Sequence, residues 1–158
     1  MNNLLIPTDF TTSSVQLATK AVRTLKERTN IVFFHAFELP YFYNDTLSSQ
    51  PPYVGLMNDR LRQACRQLKD QFPDLIGTIT FRFMRGNTNA LFRNFIEANN
   101  ITMIVCPVDY FHKKVHEDSI NPTPFFRRCK LPLLQNFNTG ESALAITEKM
   151  NLEIATAS

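Results

Sequence analysis

Short apolar runs alternate along this chain with longer stretches in which apolar residues recur at a helical period. The runs at residues 3–7, 31–37, 101–108 and 131–134 are nearly continuous, which is typical of strands buried on both faces of a parallel sheet. Residues 78–84 differ because apolar and polar side chains alternate there. That alternation predicts a strand at a sheet edge, with one partly wet face.

Helical stretches separate these strands. The first has one apolar stripe, made up of Val15, Ala18, Val22 and Leu25. Ser13 and Gln16 have capping-box spacing and predict the start of this helix, and Asn30 predicts its end. Three further helices are predicted. One spans 61–72, one carries an apolar stripe over 91–96 and stops at 99–100, and a short one spans 122–129 with Pro122 in its first turn.

The element order is therefore β-α-β-α-β-α-β-α-β. Strands separated by helices need crossover connections, which are nearly always right-handed and give a parallel sheet covered on both faces. We predict an α/β three-layer sandwich with a five-stranded, parallel, doubly wound sheet. The domain is expected to span residues 1–137, and a tail over 138–158 to cover the sheet edge or a dimer interface. In this class, ligands bind beyond the carboxyl ends of the strands, where the strand order reverses.

Composition narrows the function classes. Only 4 of the 158 residues are glycine, about a third of the usual share of about 7%, which argues against a glycine-rich phosphate loop. The net charge is +3 with scattered basic residues, so no nucleic-acid partner is expected. Three cysteines without CxxC spacing indicate a reducing, cytoplasmic location. No apolar run approaches the roughly 18 residues of a membrane helix, so no membrane partner is expected either.

Five motifs in this order resemble the universal stress protein family. They are LLIPTDF at 4–10, VFFHAF at 32–37, Gly86 after the third strand, ITMIVCP at 101–107 and LPLL at 131–134. The resemblance covers roughly residues 1–137. It implies stress response as the process and a homodimer that forms through the fifth strand, Leu131 to Phe137. An unpaired apolar edge strand needs covering, and pairing with a second copy is one solution.

In the nucleotide-binding branch of that family, a motif of three glycines and a hydroxyl residue follows the fourth strand and cradles the phosphates of ATP. Aligned on the strand, those positions are Pro107, Tyr110, Ile120 and Asn121 here. Proline has no amide to donate, and tyrosine does not freely adopt the positive φ angles of such a nest. We therefore expect no cofactor, with ATP or another adenine nucleotide disfavoured.

The adenosine half of the family's site is retained. The resemblance implies that Thr8 and Asp9 approach the adenosine and that the backbone of Ala36 can read the adenine edge. With Gly86 and Pro107, these residues form the predicted ligand crevice. A turn or N-cap role explains Asp9 equally well, and it is favoured for Thr8, because a helix follows.

The polar stretch after the fourth strand contains Asp109, His112, His116 and Glu117. Two histidines four positions apart could share a helix face as metal ligands, but a solvated loop is favoured, so no metal is predicted. His35 lies in an apolar strand and is expected to be a core histidine bonded to a backbone carbonyl. No catalytic residue is assigned.

Two functional hypotheses follow. The first is a non-enzymatic, dimeric, universal-stress-like binding protein that does not bind ATP in the family manner. The second is a nucleotide-binding protein or weak ATPase in which Asp9, Lys113 and Lys114 replace the glycine loop. The aromatic, proline-containing stretch 38–55 is predicted to contact a small planar ligand or a protein partner. Capping of the core by Phe37 and Phe42 is the alternative that would account for part of its aromatic content.

Overall fold

The computed structural model describes residues 1–38, 56–115 and 118–137. The elements within these ranges are β1 (Asn2–Pro7), α1 (Thr12–Leu25), β2 (Thr29–Phe37), α2 (Asp59–Gln71), β3 (Ile76–Arg85), α3 (Asn89–Ala98), β4 (Met103–Val105), β5 (Ser119–Ile120), α4 (Thr123–Arg128) and β6 (Leu133–Leu134). The predictions for 39–55, for His116 and Glu117, and for the tail 138–158 lie outside the described residues. No helix in the described ranges is long and apolar enough to cross a membrane.

The strands form one mostly parallel sheet in the order β3-β2-β1-β4-β6. Leu5 of β1 is in register with Val32 of β2 on one side and with Ile104 of β4 on the other. The chain adds β2 and β3 on one side of β1, then crosses to β4 on the other. The strand order therefore reverses between β1 and β4. The predicted α/β fold is confirmed. Among the described strands, β3 lies at one edge of the sheet, as its alternating pattern predicted.

The two faces of the sheet carry separate cores because successive side chains of a strand point to opposite faces. Leu4 and Ile6 pack with α1 and α2 on one face. Leu5 packs with α3 and α4 on the other, where Phe34 contacts the rings of Phe92 and Phe126. Both faces are therefore covered, which explains why β1 and β2 are nearly all apolar.

The start of α1 differs from the prediction. Thr11 is the N-cap, and its hydroxyl oxygen accepts the backbone N–H of Ser13 at 3.3 Å. Ser13 therefore lies inside the helix, and the predicted capping box with Gln16 is wrong. At the other end, Lys26 closes α1 in the left-handed conformation. Asn30 does not end this helix but belongs to β2, where its side-chain amide donates to Asn3.

One strand was not predicted. β5 falls in the stretch that its polar residues indicated to be a loop, and it pairs with the end of β2 in the antiparallel sense. The strand boundaries also differ from the predicted ones. β2 and β3 are longer than the apolar runs that predicted them, and β4 and β6 are shorter. The predicted short helix is present as α4, but it begins at Thr123. Pro122 is its N-cap residue and does not lie in the first turn as predicted, where Pro124 lies instead.

Candidate functional site

The carboxyl end of β2 reaches beyond that of β1. β1 ends at Pro7, which is in register with Phe34, whereas β2 continues to Phe37. The edge that β1 leaves free is paired with β5, so that Ala36 lies opposite Ile120. The chain itself thus continues the sheet past the end of β1.

His35 connects this extension to the end of β1. Its Nδ1 lies 2.7 Å from the carbonyl oxygen of Thr8, and its Nε2 lies 2.8 Å from Oγ of Ser119. Because a carbonyl can only accept, Nδ1 carries the proton and Nε2 accepts from the Ser119 hydroxyl. The imidazole is 3% exposed and packs against the rings of Phe10 and Phe37. The prediction of a core histidine bonded to a backbone carbonyl is confirmed.

Thr8 and Asp9 organise the turn that leads into α1. The hydroxyl of Thr8 is buried, lies 2.9 Å from that of Ser14 and accepts the N–H of Phe10 at 3.0 Å. A carboxylate oxygen of Asp9 accepts the N–H of Thr11 at 3.0 Å and also its hydroxyl proton. Asp9 therefore orients the side chain that caps α1. The ligand role predicted for these two residues stays a prediction.

A crevice of about 240 Å³ opens where the strand order reverses, between α1 and the loop after β4. Its lining consists of Pro7, Asp9, Ser13, Ser14, Gln16, Leu17, Lys20, Tyr110, Phe111 and Lys113. Of the five residues predicted to form the ligand crevice, Asp9 lines this cavity, whereas Thr8, Ala36, Gly86 and Pro107 do not. Lys113, predicted as a substitute for the glycine loop, lines it too.

The crevice carries both signs of charge. The ammonium groups of Lys20 and Lys113 form no ion pair within the described ranges, and both side chains are exposed. Burial raises the pKa of Tyr110, and the Asp9 carboxylate and Cys106 raise it further. The phenol therefore stays protonated and can donate a hydrogen bond. Phe111 is 87% exposed beside these groups. The arrangement suits a small ligand with hydroxyl and anionic groups.

Gly86 and Pro107 each belong to a backbone turn at the end of a strand. Gly86 follows β3 with φ of 118°, and its N–H donates to the carbonyl of Phe37 at 2.8 Å. The positive φ favours glycine at this position, and a Cβ there would also require the side chain of Leu91 to shift. The carbonyl of Pro107 accepts the N–H of Tyr110 at 3.0 Å. This turn directs Tyr110 into the crevice.

His112 does not line the crevice, although its chain neighbours Phe111 and Lys113 do. Its ring centroid lies 6.2 Å from that of His35, and its buried Nε2 has no hydrogen-bond partner among the described residues. Burial lowers the pKa of His112, and the charge of Lys114 lowers it further. Within 1–38, 56–115 and 118–137, no three His, Cys, Asp or Glu side chains come together as metal ligands.

Sequence reasoning missed Lys20 and Phe111 as lining residues. Lys20 lies on the polar side of the α1 stripe and carries no signal beyond solvation. Phe111 lies in an otherwise polar stretch, and its isolation from any apolar pattern was the available signal.

Comparison with known proteins supports the fold. No protein-family model matches the sequence, and no curated protein matches it. The hypothetical protein PH0823 matches with a TM-score of 0.50 and 15% identity over 85% of this chain and 94% of that one. At that identity the likeness shows the fold alone. The fold places this chain in the class of α/β proteins with a doubly wound, mostly parallel sheet.

Two universal stress proteins also match by structure. A family member from Burkholderia pseudomallei has a TM-score of 0.39 and 9% identity over 66% of this chain and 79% of its own. A universal stress protein in complex with cAMP has a TM-score of 0.44 and 13% identity over 87% of this chain and 98% of its own.

Proposed function

We propose that this chain is a non-enzymatic binding protein of the universal stress type that does not bind ATP in the manner of that family's nucleotide-binding branch. The pairing of Ala36 with Ile120 is the observation that supports it. The carbonyl of Phe34 accepts from Thr8, and that of Phe37 accepts from Gly86 on the opposite side. Because these directions alternate along a strand, the amide and carbonyl of Ala36 face β5. The backbone groups of Ala36, to which the resemblance assigns the contact with adenine, are thus already paired with β5.

Two further features favour the proposal. No glycine lies between Gly86 and Gly140, so no glycine nest follows β4. The crevice of about 240 Å³ is also smaller than the usual range of about 300–1,000 Å³ for ligand pockets. A triphosphate nucleotide therefore has neither its base contact nor its phosphate cradle.

The proposal includes a homodimer through the fifth predicted strand, now β6, and its flanks over 131–137. Among the strands of the described ranges, β6 is the last on its side of the sheet, and the side chain of Leu133 is partly exposed there. Such an apolar edge favours pairing with a second copy. Stress response and a cytoplasmic location belong to the same proposal and rest on the resemblance and the cysteine pattern.

A second candidate function is binding of a small nucleotide in the crevice. Its support is that Asp9 and Lys113 line one cavity, with Lys20 beside them. The carboxylate of Asp9 would accept from sugar hydroxyls, and the two ammonium groups would face a phosphate. Lys114, predicted to share this role, does not line the cavity.

Isothermal titration with ATP, ADP, AMP and cAMP tests both functions. The first predicts no micromolar binding of ATP to the wild-type protein. Micromolar ATP binding that Asp9→Ala abolishes would overturn it. AMP binding that Lys113→Ala weakens about tenfold, and that the exposed control Lys130→Ala leaves unchanged, would establish the second candidate. Absence of binding by all four nucleotides would reject that candidate.

A further inference from the structure

A second groove lies at the β3 edge of the sheet and shares no residue with the crevice. It has a volume of about 340 Å³ and runs between α2 and β3. Arg62, Arg66 and Lys69 line its α2 side, and Ile79 and Phe81 form its floor. We call these five residues the basic edge groove.

The positive charge of the groove follows from helical spacing. Arg62, Arg66 and Lys69 recur four and three positions apart, which places them on one face of α2. Arg62 forms an ion pair with Asp59, with 3.4 Å between Nη1 and Oδ1. Within the described ranges, Arg66 and Lys69 have no ion-pair partner. An anionic partner would therefore not have to displace an existing carboxylate from these two side chains.

The residues at the floor of the groove have backbone groups that point sideways from the edge of the sheet, away from β2. The N–H of Gly86 donates to the carbonyl of Phe37, so the even-numbered positions of β3 that follow the register shift near its start face β2. Because the direction alternates, the amides and carbonyls of Ile79 and Phe81 face away from β2. β3 is the last strand on this side in the described part of the chain. These groups are placed to pair with an added strand.

We propose that the basic edge groove binds an extended acidic segment of a partner protein, which pairs with β3 as an additional strand. Main-chain hydrogen bonds to Ile79 and Phe81 would hold the segment, and carboxylates on alternate residues would face the cations of α2. A nucleic acid is a weaker fit because the floor is apolar and the net charge of the chain is only +3. The inference does not depend on the function proposed for the crevice.

The test is fluorescence anisotropy at low salt with a fluorescein-labelled nine-residue peptide of alternating glutamate and valine. Wild-type protein should bind it, and the double variant Arg66→Glu/Lys69→Glu should bind about tenfold more weakly or worse. The matched control is Arg93→Glu/Arg128→Glu, which reverses two exposed charges on the other face of the sheet. Its affinity should stay within about twofold of wild type. Circular dichroism melting checks that all variants fold.

Two further measurements separate strand pairing from simple charge attraction. A peptide with the same glutamates but proline in place of each valine should not bind, because proline has no N–H for the ladder. Amide exchange at Ile79 and Phe81 should slow when the alternating peptide is bound. Equal binding of the proline peptide, unchanged exchange at both amides, or absence of peptide binding would overturn the proposal. Tighter binding of oligothymidylate than of the peptide would overturn it too, in favour of a nucleic-acid surface.

Discussion

Nε2 of His35 accepts a hydrogen bond from the hydroxyl of Ser119, with 2.8 Å between the nitrogen and Oγ, although the two residues are 84 positions apart in the chain. The other ring nitrogen donates to the carbonyl of Thr8. One buried side chain therefore holds β5 against the end of β2 and fixes both to the end of β1. The hydrogen bond from Nδ1 to the carbonyl of Thr8 determines the tautomer of His35.

The first prediction concerns this bond. Ser119→Ala should leave the fold intact but release β5 locally, because the hydrogen bond between Nε2 of His35 and the Ser119 hydroxyl is lost at a cost of about 1 kcal/mol. The N–H of Glu38, which donates to Asp118, should then exchange about fivefold faster. Ser13→Ala, at an exposed position of α1, is the control. Unchanged exchange at Glu38 would show that other contacts hold β5.

The second prediction concerns the N-cap of α1. Thr11→Ala should lower the free energy of unfolding by about 1 kcal/mol, because the N–H of Ser13 loses its acceptor. Thr11→Ser keeps a hydroxyl at this position and should remain close to wild type. Urea denaturation of the three proteins decides the matter. Equal losses for alanine and serine would indicate that the methyl group, not the cap, matters.

The third prediction compares two phenylalanines. Phe126 is fully buried and contacts Phe34 and Phe92, so Phe126→Ala should cost about 3–5 kcal/mol. Phe111 is 87% exposed, so Phe111→Ala should change stability by less than about 0.5 kcal/mol. Denaturant unfolding measures both. A large loss for Phe111 would place its ring in a contact within the folded chain.

The fourth prediction concerns alkaline pH. Burial and the Asp9 carboxylate raise the pKa of Tyr110 in the folded state. The unfolded chain therefore loses this proton first, so the contribution of Tyr110 to stability is present below pH 10 and falls as the pH rises further. Ultraviolet titration should show a late-titrating tyrosine that is missing in Tyr110→Phe. Asp9→Asn should lower the pKa of Tyr110, and an unchanged titration would contradict the Asp9 contribution.

The fifth prediction tests the dimer. Leu133→Glu places a charge at the partly exposed position of β6 and should give a monomer by light scattering, where wild type gives a dimer. Leu134 is fully buried, so a charge there would unfold the domain and is not informative. Leu91→Glu, at an exposed position of α3, is the matched control. A dimeric Leu133→Glu protein, or a monomeric wild type, would exclude this interface.

The hydrophobic pattern predicted the strands of the parallel sheet and all four helices of the described ranges. The stripe of α1 is an example, since Val15, Ala18 and Val22 are buried as its spacing required. The edge position of β3 was also predictable, because a strand with one wet face has an alternating pattern. Helix ends were less predictable. The cap at Thr11 depends on a turn in which Phe10 adopts a φ of 62°, and no periodicity encodes that turn.

The candidate site was predictable only in part. Asp9 and Lys113 were named from the sequence and line one crevice, but Lys20 joins them through the packing of α1 beside the loop after β4. Ala36 was correctly placed at the end of β2. That its backbone faces a strand of the same chain could not be read from its neighbours, because the partner lies far away in the sequence.

The sequence by itself determined the order of strands and helices, the two cores and the loss of the glycine nest, because these depend on local periodicity and on residue type. Only the tertiary structure decided which segment pairs with the part of β2 that extends beyond β1. β5 has two residues and no apolar pattern, so it exists as a strand only because β2 reaches past β1 and leaves hydrogen-bonding groups to be paired. Ser119, a polar residue in a polar stretch, is half-buried and is joined to the buried His35 by a hydrogen bond.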